Sequence, residues 1–348
     1  MGFFTDEEID SLRIKNMILH VVGGQSFTAN PARKVQHEQF FIGKIIDTAV
    51  DPVFSFEARS STKRKLEEIA SGTHTFERGA QALASSFNSK HVSSSSDGAL
   101  FIFEMSVKDK NVRIYSLIKY DYREALQQDP KQPDGVLLRI INAFIDDNRA
   151  VQKAALIRVV AGIAEDEVSA RDRVKRAAPE LSDYFQAFLG VSREVDDTEL
   201  SQKALDVVQA TLQKFKADLP KQDVSTALAT ARGILGKAPK VNNQAIIDAI
   251  IEGAGNPTDA ILTKKITEET QKRIRRAKLE NLTFKPVRNV LRQAPTRRLK
   301  TTEGVIVIFP DDAAGSTVQI VDNGAAGQRI IIDTKQITED DLVARRAG

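Results

Sequence analysis

The chain is 348 residues long and close to electroneutral, with 50 Lys and Arg against 47 Asp and Glu. That length points to two or three domains. It contains no Cys, which excludes disulfides, thiolate metal sites and Cys nucleophiles, and no run of about eighteen apolar residues offers a membrane span.

The opening stretch, MGFFTDEEIDSLRIK, has neither the basic start nor the long apolar core of a signal peptide. Asp6 stands where a myristoylation signal needs Ser or Thr. Ile14 to Val22 reads as a strand ended by Gly23-Gly24. Glu38 to Val50 reads as a helix with Phe41, Ile42, Ile45, Ile46 and Ala49 on one face. Ser60 to Ala70 and Thr75 to Asn88 are two further helices, the second with Phe76, Ala80, Leu83, Ala84 and Phe87 at helical spacing. A serine-rich connector, SKHVSSSSDG, leads to two strands, Ala99 to Val107 and Val112 to Tyr120, joined by a hairpin at Asp109-Lys110-Asn111. Ala155 to Val160 extends the same sheet.

From Pro179 the period becomes helical. Tyr184, Phe185 and Phe188 form one apolar patch, expected in the core, with a partner surface as the other reading. Helices follow from Thr198 to Phe215, Val224 to Leu235 and Asn243 to Glu252, and Asn256-Pro257-Thr258 opens another. After residue 300 the pattern turns to short strands, Gly304 to Phe309, Thr317 to Val321 and Gln328 to Ile332, in a tail with eight acids against four bases. Asp322-Asn323-Gly324 and Ala325-Ala326-Gly327 supply the turn before the last of these. The expected fold is α+β: a mixed α/β domain over 1–178, a helical region over 179–283, and a basic linker with a small β-rich unit over 284–348.

Charge is concentrated in one place. Lys264 to Lys300, KKITEETQKRIRRAKLENLTFKPVRNVLRQAPTRRLK, holds thirteen Lys and Arg against Glu268, Glu269 and Glu280. On a helical wheel, Ile266, Thr270, Ile274 and Ala277 form an apolar stripe. Lys265, Lys272 and Arg276 lie opposite, flanked by Arg273 and Arg275. A solvated helix face would use part of this charge in pairs from Glu268 to Lys272 and Glu269 to Arg273, leaving Arg275 and Lys278 without such a partner. The run continues through Lys285, Arg288, Arg292, Arg297, Arg298 and Lys300, a stretch broken by Pro286 and Pro295. A polyanion is the expected partner. Each Lys or Arg laid on a phosphate releases counterions, so about six contacts give binding that weakens some 1,000-fold by moderate salt. No zinc finger, helix-turn-helix or RNA-recognition aromatic motif supports sequence readout.

Chemistry finds little support. His20, His37, His74 and His91 share no metal-ligand spacing. Asp97 and Glu104 come closest to a nuclease metal pair, but Ser106 stands where an acid-x-Lys motif needs Lys. Gly233-Ile-Leu-Gly236-Lys237 lacks the phosphate-loop spacing and reads as a helix C-cap. No catalytic residue, metal or cofactor is expected.

The order of three segments carries a resemblance: SLRIKNMILHVV, then PELSDYFQAFLGVSREVDDTELSQKAL, then LTFKPVRNVL and RRLKTTEGVIVIFP followed by GQRIIIDTKQIT. The chain resembles the bacterial nucleoid-associated protein family, the NdpA or YejK-like group. The resemblance implies a cytoplasmic, nucleoid-located, non-enzymatic protein found with chromosomal DNA. It brings no residue-level site, so the expected phosphate contacts rest on charge alone: Lys265, Lys272, Arg273, Arg275, Arg276 and Lys278, then Arg288, Arg292, Arg297, Arg298 and Lys300. Charge does not separate DNA from RNA. Homodimerisation is the default for a protein of this kind. The alternative is an interaction scaffold, in a defence or chromosome-maintenance assembly, whose basic segment meets an acidic protein.

Overall fold

The structure, a computed structural model, describes all residues except 1, 24–25, 93–94, 122, 129–136, 144–149, 174–178, 293–295, 325–326 and 340–348. The side chains of 122–149, 292 and 312 are likewise outside the description. The chain forms two compact units, Met1–Leu291 and Arg292–Gly348.

The first unit is built on an antiparallel sheet. In chain order its elements are α1 (Asp6–Ser11), β1 (Arg13–Val22), α2 (Glu38–Thr48), β2 (Phe54–Phe56), α3 (Ser61–Ala70), α4 (Phe76–Lys90), β3 (Gly98–Ser106) and β4 (Val112–Tyr120). A hairpin of β5 (Arg123–Gln128) and β6 (Leu137–Ala143) follows, then β7 (Val151–Val160), β8 (Ile163–Ala164) and β9 (Glu167–Asp172). After α5 (Asp183–Leu189), the short β10 (Val191–Arg193) rejoins the sheet, whose order is β1-β3-β4-β7-β9-β2-β10 with β8 on β7. The helices α6 (Asp197–Lys214), α7 (Val224–Lys237), α8 (Asn243–Gly253), α9 (Ala260–Arg276) and α10 (Arg288–Arg292) complete it.

Strands β3 and β4 are buried along nearly their whole length, as expected where both faces of a sheet are covered. Period-two alternation divides their side chains between two cores. Leu100, Ile102, Tyr115 and Leu117 pack toward α3, α4, α5 and the later helices. Phe101, Phe103, Met105 and Ile118 pack on the other side with α2 and the N-terminal Phe3, Phe4 and Leu12. Phe41 of α2 lies 5.2 Å from both Phe101 and Phe103.

Tyr184, Phe185 and Phe188 belong to the first of these cores, grouped around Phe87 with ring centroids 5.0–6.3 Å apart. Gly190 ends their helix with φ 63°, and a Cβ there would meet Ser60 at 2.9–3.0 Å. The glycine of the quoted YFQAFLG segment is thus required by both backbone and space. The first unit spans the position 178/179, and the common core and β10 run across it.

A buried ion pair ties β7 to β9: Lys153 Nζ donates to Asp172 at 2.5 Å and to Ser182 Oγ at 2.9 Å. Burial alone would raise the Asp172 carboxyl, but the bonds from Lys153 and Ser182 hold it below the usual carboxylate range.

The second unit consists of two separate hairpins, β11 (Thr296–Lys300) with β12 (Ile306–Pro310) and β13 (Val318–Asp322) with β14 (Gln328–Ile332). The architecture is α+β, as the sequence pattern indicates. The stretch read as a basic linker contains α10 and the strand β11. Ala325 and Ala326 of the expected turn lie outside the described residues, while the strands it was expected to join, β13 and β14, pair as a hairpin.

Candidate nucleic-acid interface

Helix α9 is locally over-determined. The Asp259 side chain caps it by accepting from Ile261 N. Thr263, Thr267 and Thr270 return their hydroxyls to carbonyls four residues back. Ile266, Thr270 and Ile274 are buried, and the helix packs on α6 and α8. At about 100° per residue, Lys265, Lys272 and Arg276 fall on one exposed line roughly opposite that stripe.

The ion pairs differ from the expected ones. Glu268 lies 3.9 Å from Lys264 rather than pairing with Lys272. Glu269 pairs with Arg273 at 2.8 Å, as expected, and also with Lys214 of α6 at 2.6 Å. The Lys214 bond first, then Arg273, holds its carboxyl below the usual range. Arg275 and Lys278, expected without acid partners, have them: Arg275 pairs with Glu280 at 2.8 Å and Lys278 with Glu167 at 3.0 Å. Spacing along one helix could not reveal Glu167, because it lies on β9. Among the described residues, Lys265, Lys272 and Arg276 have no carboxylate at ion-pair distance. The cations near the end of α9 also complement its dipole, which is a stabilising role independent of any ligand.

The loop after α9 is bolted to the sheet domain. Lys278 and Asn281 adopt left-handed φ values of 55° and 59°. Asp51 N donates to Glu280 O at 3.0 Å, Glu280 N donates back to the Asp51 carboxylate, and Asn281 Nδ2 donates to Ala49 O at 3.2 Å. Asp51 is fully buried. Burial first, and then the charge of Glu280, push its carboxyl up to about 7. No sequence pattern marked this residue.

The remaining cations are distributed over two units. Arg288 is exposed at the start of α10. The side chain of Arg292 lies outside the described residues. In the second unit Arg297 pairs with Asp311 at 2.6 Å. Arg298 and Lys300 are exposed on β11, opposite Ile308 and Ile306. The eleven nominated residues therefore belong to two bodies, with Lys265 to Arg288 in one and Arg292 to Lys300 in the other.

The weaker chemical candidates are occupied structurally. Glu104 is buried and accepts from Arg113 at 2.6 Å, Tyr115 at 3.0 Å and Asn16 at 2.5 Å. Its carboxylate is engaged by these three donors rather than shared with Asp97 across a metal. His20 is buried, accepts from Asn30 N at 3.0 Å and stacks on Phe27, and burial lowers its pKa. His91 Nε2 lies 2.9 Å from the buried Lys119 Nζ. Gly233 and Gly236 lie within the last turns of α7, and the C-cap is Ala238 rather than this glycine segment.

A family model described as nucleoid-associated protein YejK matches residues 46–339. No curated protein matches the chain.

Proposed function

The chain belongs to the nucleoid-associated protein YejK family, and from that premise we propose that it binds DNA through backbone phosphates, without sequence readout and without catalysis. The nucleoid, within the cytoplasm, is the location that membership indicates. The observation that carries the DNA reading is the line of Lys265, Lys272 and Arg276 on α9. These three cations are exposed, and among the described residues none has a carboxylate at ion-pair distance. Charges held in this way cost nothing to unpair when phosphate arrives, unlike Arg273, Arg275 and Lys278. Arg288, Arg298 and Lys300 extend the same reading, and Arg suits phosphate oxygens through its planar fork.

The test is duplex binding over a salt series, beside a variant with Lys265, Lys272 and Arg276 changed to Gln. A steep fall of affinity with salt that becomes shallower in the variant supports the reading. A wild type that does not bind duplex at low salt overturns it. Capture of an acidic protein that survives nuclease treatment would favour the scaffold alternative.

A further inference from the structure

The hairpin of β11 and β12 has two unlike faces. Alternation along the strands puts Arg297, Leu299, Val307 and Phe309 on one of them. That face is the packed one: Phe309 is buried and the other three are half-buried. The opposite face is exposed throughout. There the register places Arg298 against Ile308 and Lys300 against Ile306, with Thr296 against Pro310 beyond them. Ile308 is 62% exposed and Ile306 45%.

Strand pairing does not require this arrangement. Thr or charged residues serve the outward face of a hairpin equally well, and an apolar row kept in water marks a contact surface. The charges beside it say with what. Among the described residues, Arg298 and Lys300 have no carboxylate at ion-pair distance, Asp311 is held by Arg297 of the other face, and Glu303 sits in the turn with Thr302. A cationic row beside an apolar row complements a polyanion that carries apolar surface inside its own line of charge. Lipid headgroups and nucleic acids are both built in this way, and the spacing favours the nucleic acid. Residues two apart on a strand are about 7 Å apart, so Ile306 and Ile308 match two base-pair steps of about 3.4 Å each. The cations paired with them lie about 5 Å to one side, toward the phosphates.

We propose, resting on the DNA reading above, that this face deforms the duplex it meets. Arg298 and Lys300 hold phosphates, while Ile306 and Ile308 wedge between base pairs, unstack a step and bend the helix. Ile is among the side chains that act as wedges in architectural proteins, with bends of about 20–90°. A wedge reads no base edge. It selects DNA by how easily a step unstacks, which favours flexible pyrimidine–purine steps.

The test uses the full chain at low salt with a duplex of about 25 base pairs that carries a dye at each end. A second duplex holds a fluorescent adenine analogue, quenched by stacking, at a central TA step. Bending raises energy transfer between the dyes and unstacking brightens the analogue, and both signals are expected to rise at saturation. Ile306→Thr with Ile308→Thr keeps β-branched side chains suited to a strand. This variant is expected to lose both rises and keep the salt slope of binding, whereas Arg298→Gln with Lys300→Gln should make that slope shallower by about 2. Should the Thr variant melt early, the analogue signal of the wild type decides alone. Saturated binding without either rise overturns the proposal and leaves phosphate binding standing, while absence of duplex binding overturns both. Equal rises in the Thr variant and the wild type also overturn it. Loss of binding to phosphatidylglycerol vesicles in the Thr variant, with its DNA signals unchanged, would assign the face to a membrane surface instead.

Discussion

The two halves of the basic block carry similar charge on very different supports. In α9 the cations stand on a helix whose opposite face is sunk into the core through Ile266, Thr270 and Ile274. In β11 they stand on a strand that, among the described residues, pairs with β12 alone, where Ile306 and Ile308 are exposed. A two-stranded hairpin is marginal by itself, whereas a helix packed on two others is fixed in place. Preorganised charge binds without an ordering cost, so the α9 half should dominate affinity and the β11 half should add to it.

The largest expected effect tests the support itself. Ile274→Ala should cost about 2–5 kcal/mol in urea unfolding, and Ile308→Ala, 62% exposed, less than about 1 kcal/mol. Equal losses would erase the contrast. Next in size is the triple change of Lys265, Lys272 and Arg276 to Gln, which should make the salt slope of DNA binding shallower by about 3. Asp51→Asn sharpens the anchoring of α9. The folded carboxyl titrates near 7, above its ordinary 3.8. Its contribution to stability is therefore full below 3.8 and is lost as pH rises through 7. The variant escapes that loss, so its stability relative to wild type should rise by about 2 kcal/mol or more between pH 5 and pH 8. Changing Arg275 and Lys278 together should shift the salt slope by less than about 1, because Glu280 and Glu167 already hold them. Smallest is Asp311→Asn. Release of Arg297 should tighten DNA binding about twofold at low salt. The substitution removes one acid beside the basic strand while leaving β12, the partner of β11, in place.

The periodic elements were legible because their burial is one-sided or complete. The stripe of α9, the Phe-spaced face of α4 and the apolar runs of β3 and β4 all stand where the pattern puts them. The three-residue strands β2 and β10 were not legible, being too short to show a period. β11 was hidden by its own composition. In Thr296-Arg-Arg-Leu-Lys300 the alternation is present, but only Leu299 is apolar. For the candidate site, charge singled out α9, while local spacing misjudged the partners of Arg275 and Lys278. Glu167 and Asp51 approach α9 from far along the chain, and no i to i+4 rule reaches them.

The place of β2 in the sheet has a consequence for synthesis. Phe54 and Phe56 are made early, yet their strand is bracketed by β9 and β10, which are made much later. A nascent chain halted before Val168 would hold two aromatic side chains and open strand edges with nothing to pair them. The sheet closes only after Arg193 has left the ribosome, so the hazard of misfolding falls in the middle of translation rather than at its end.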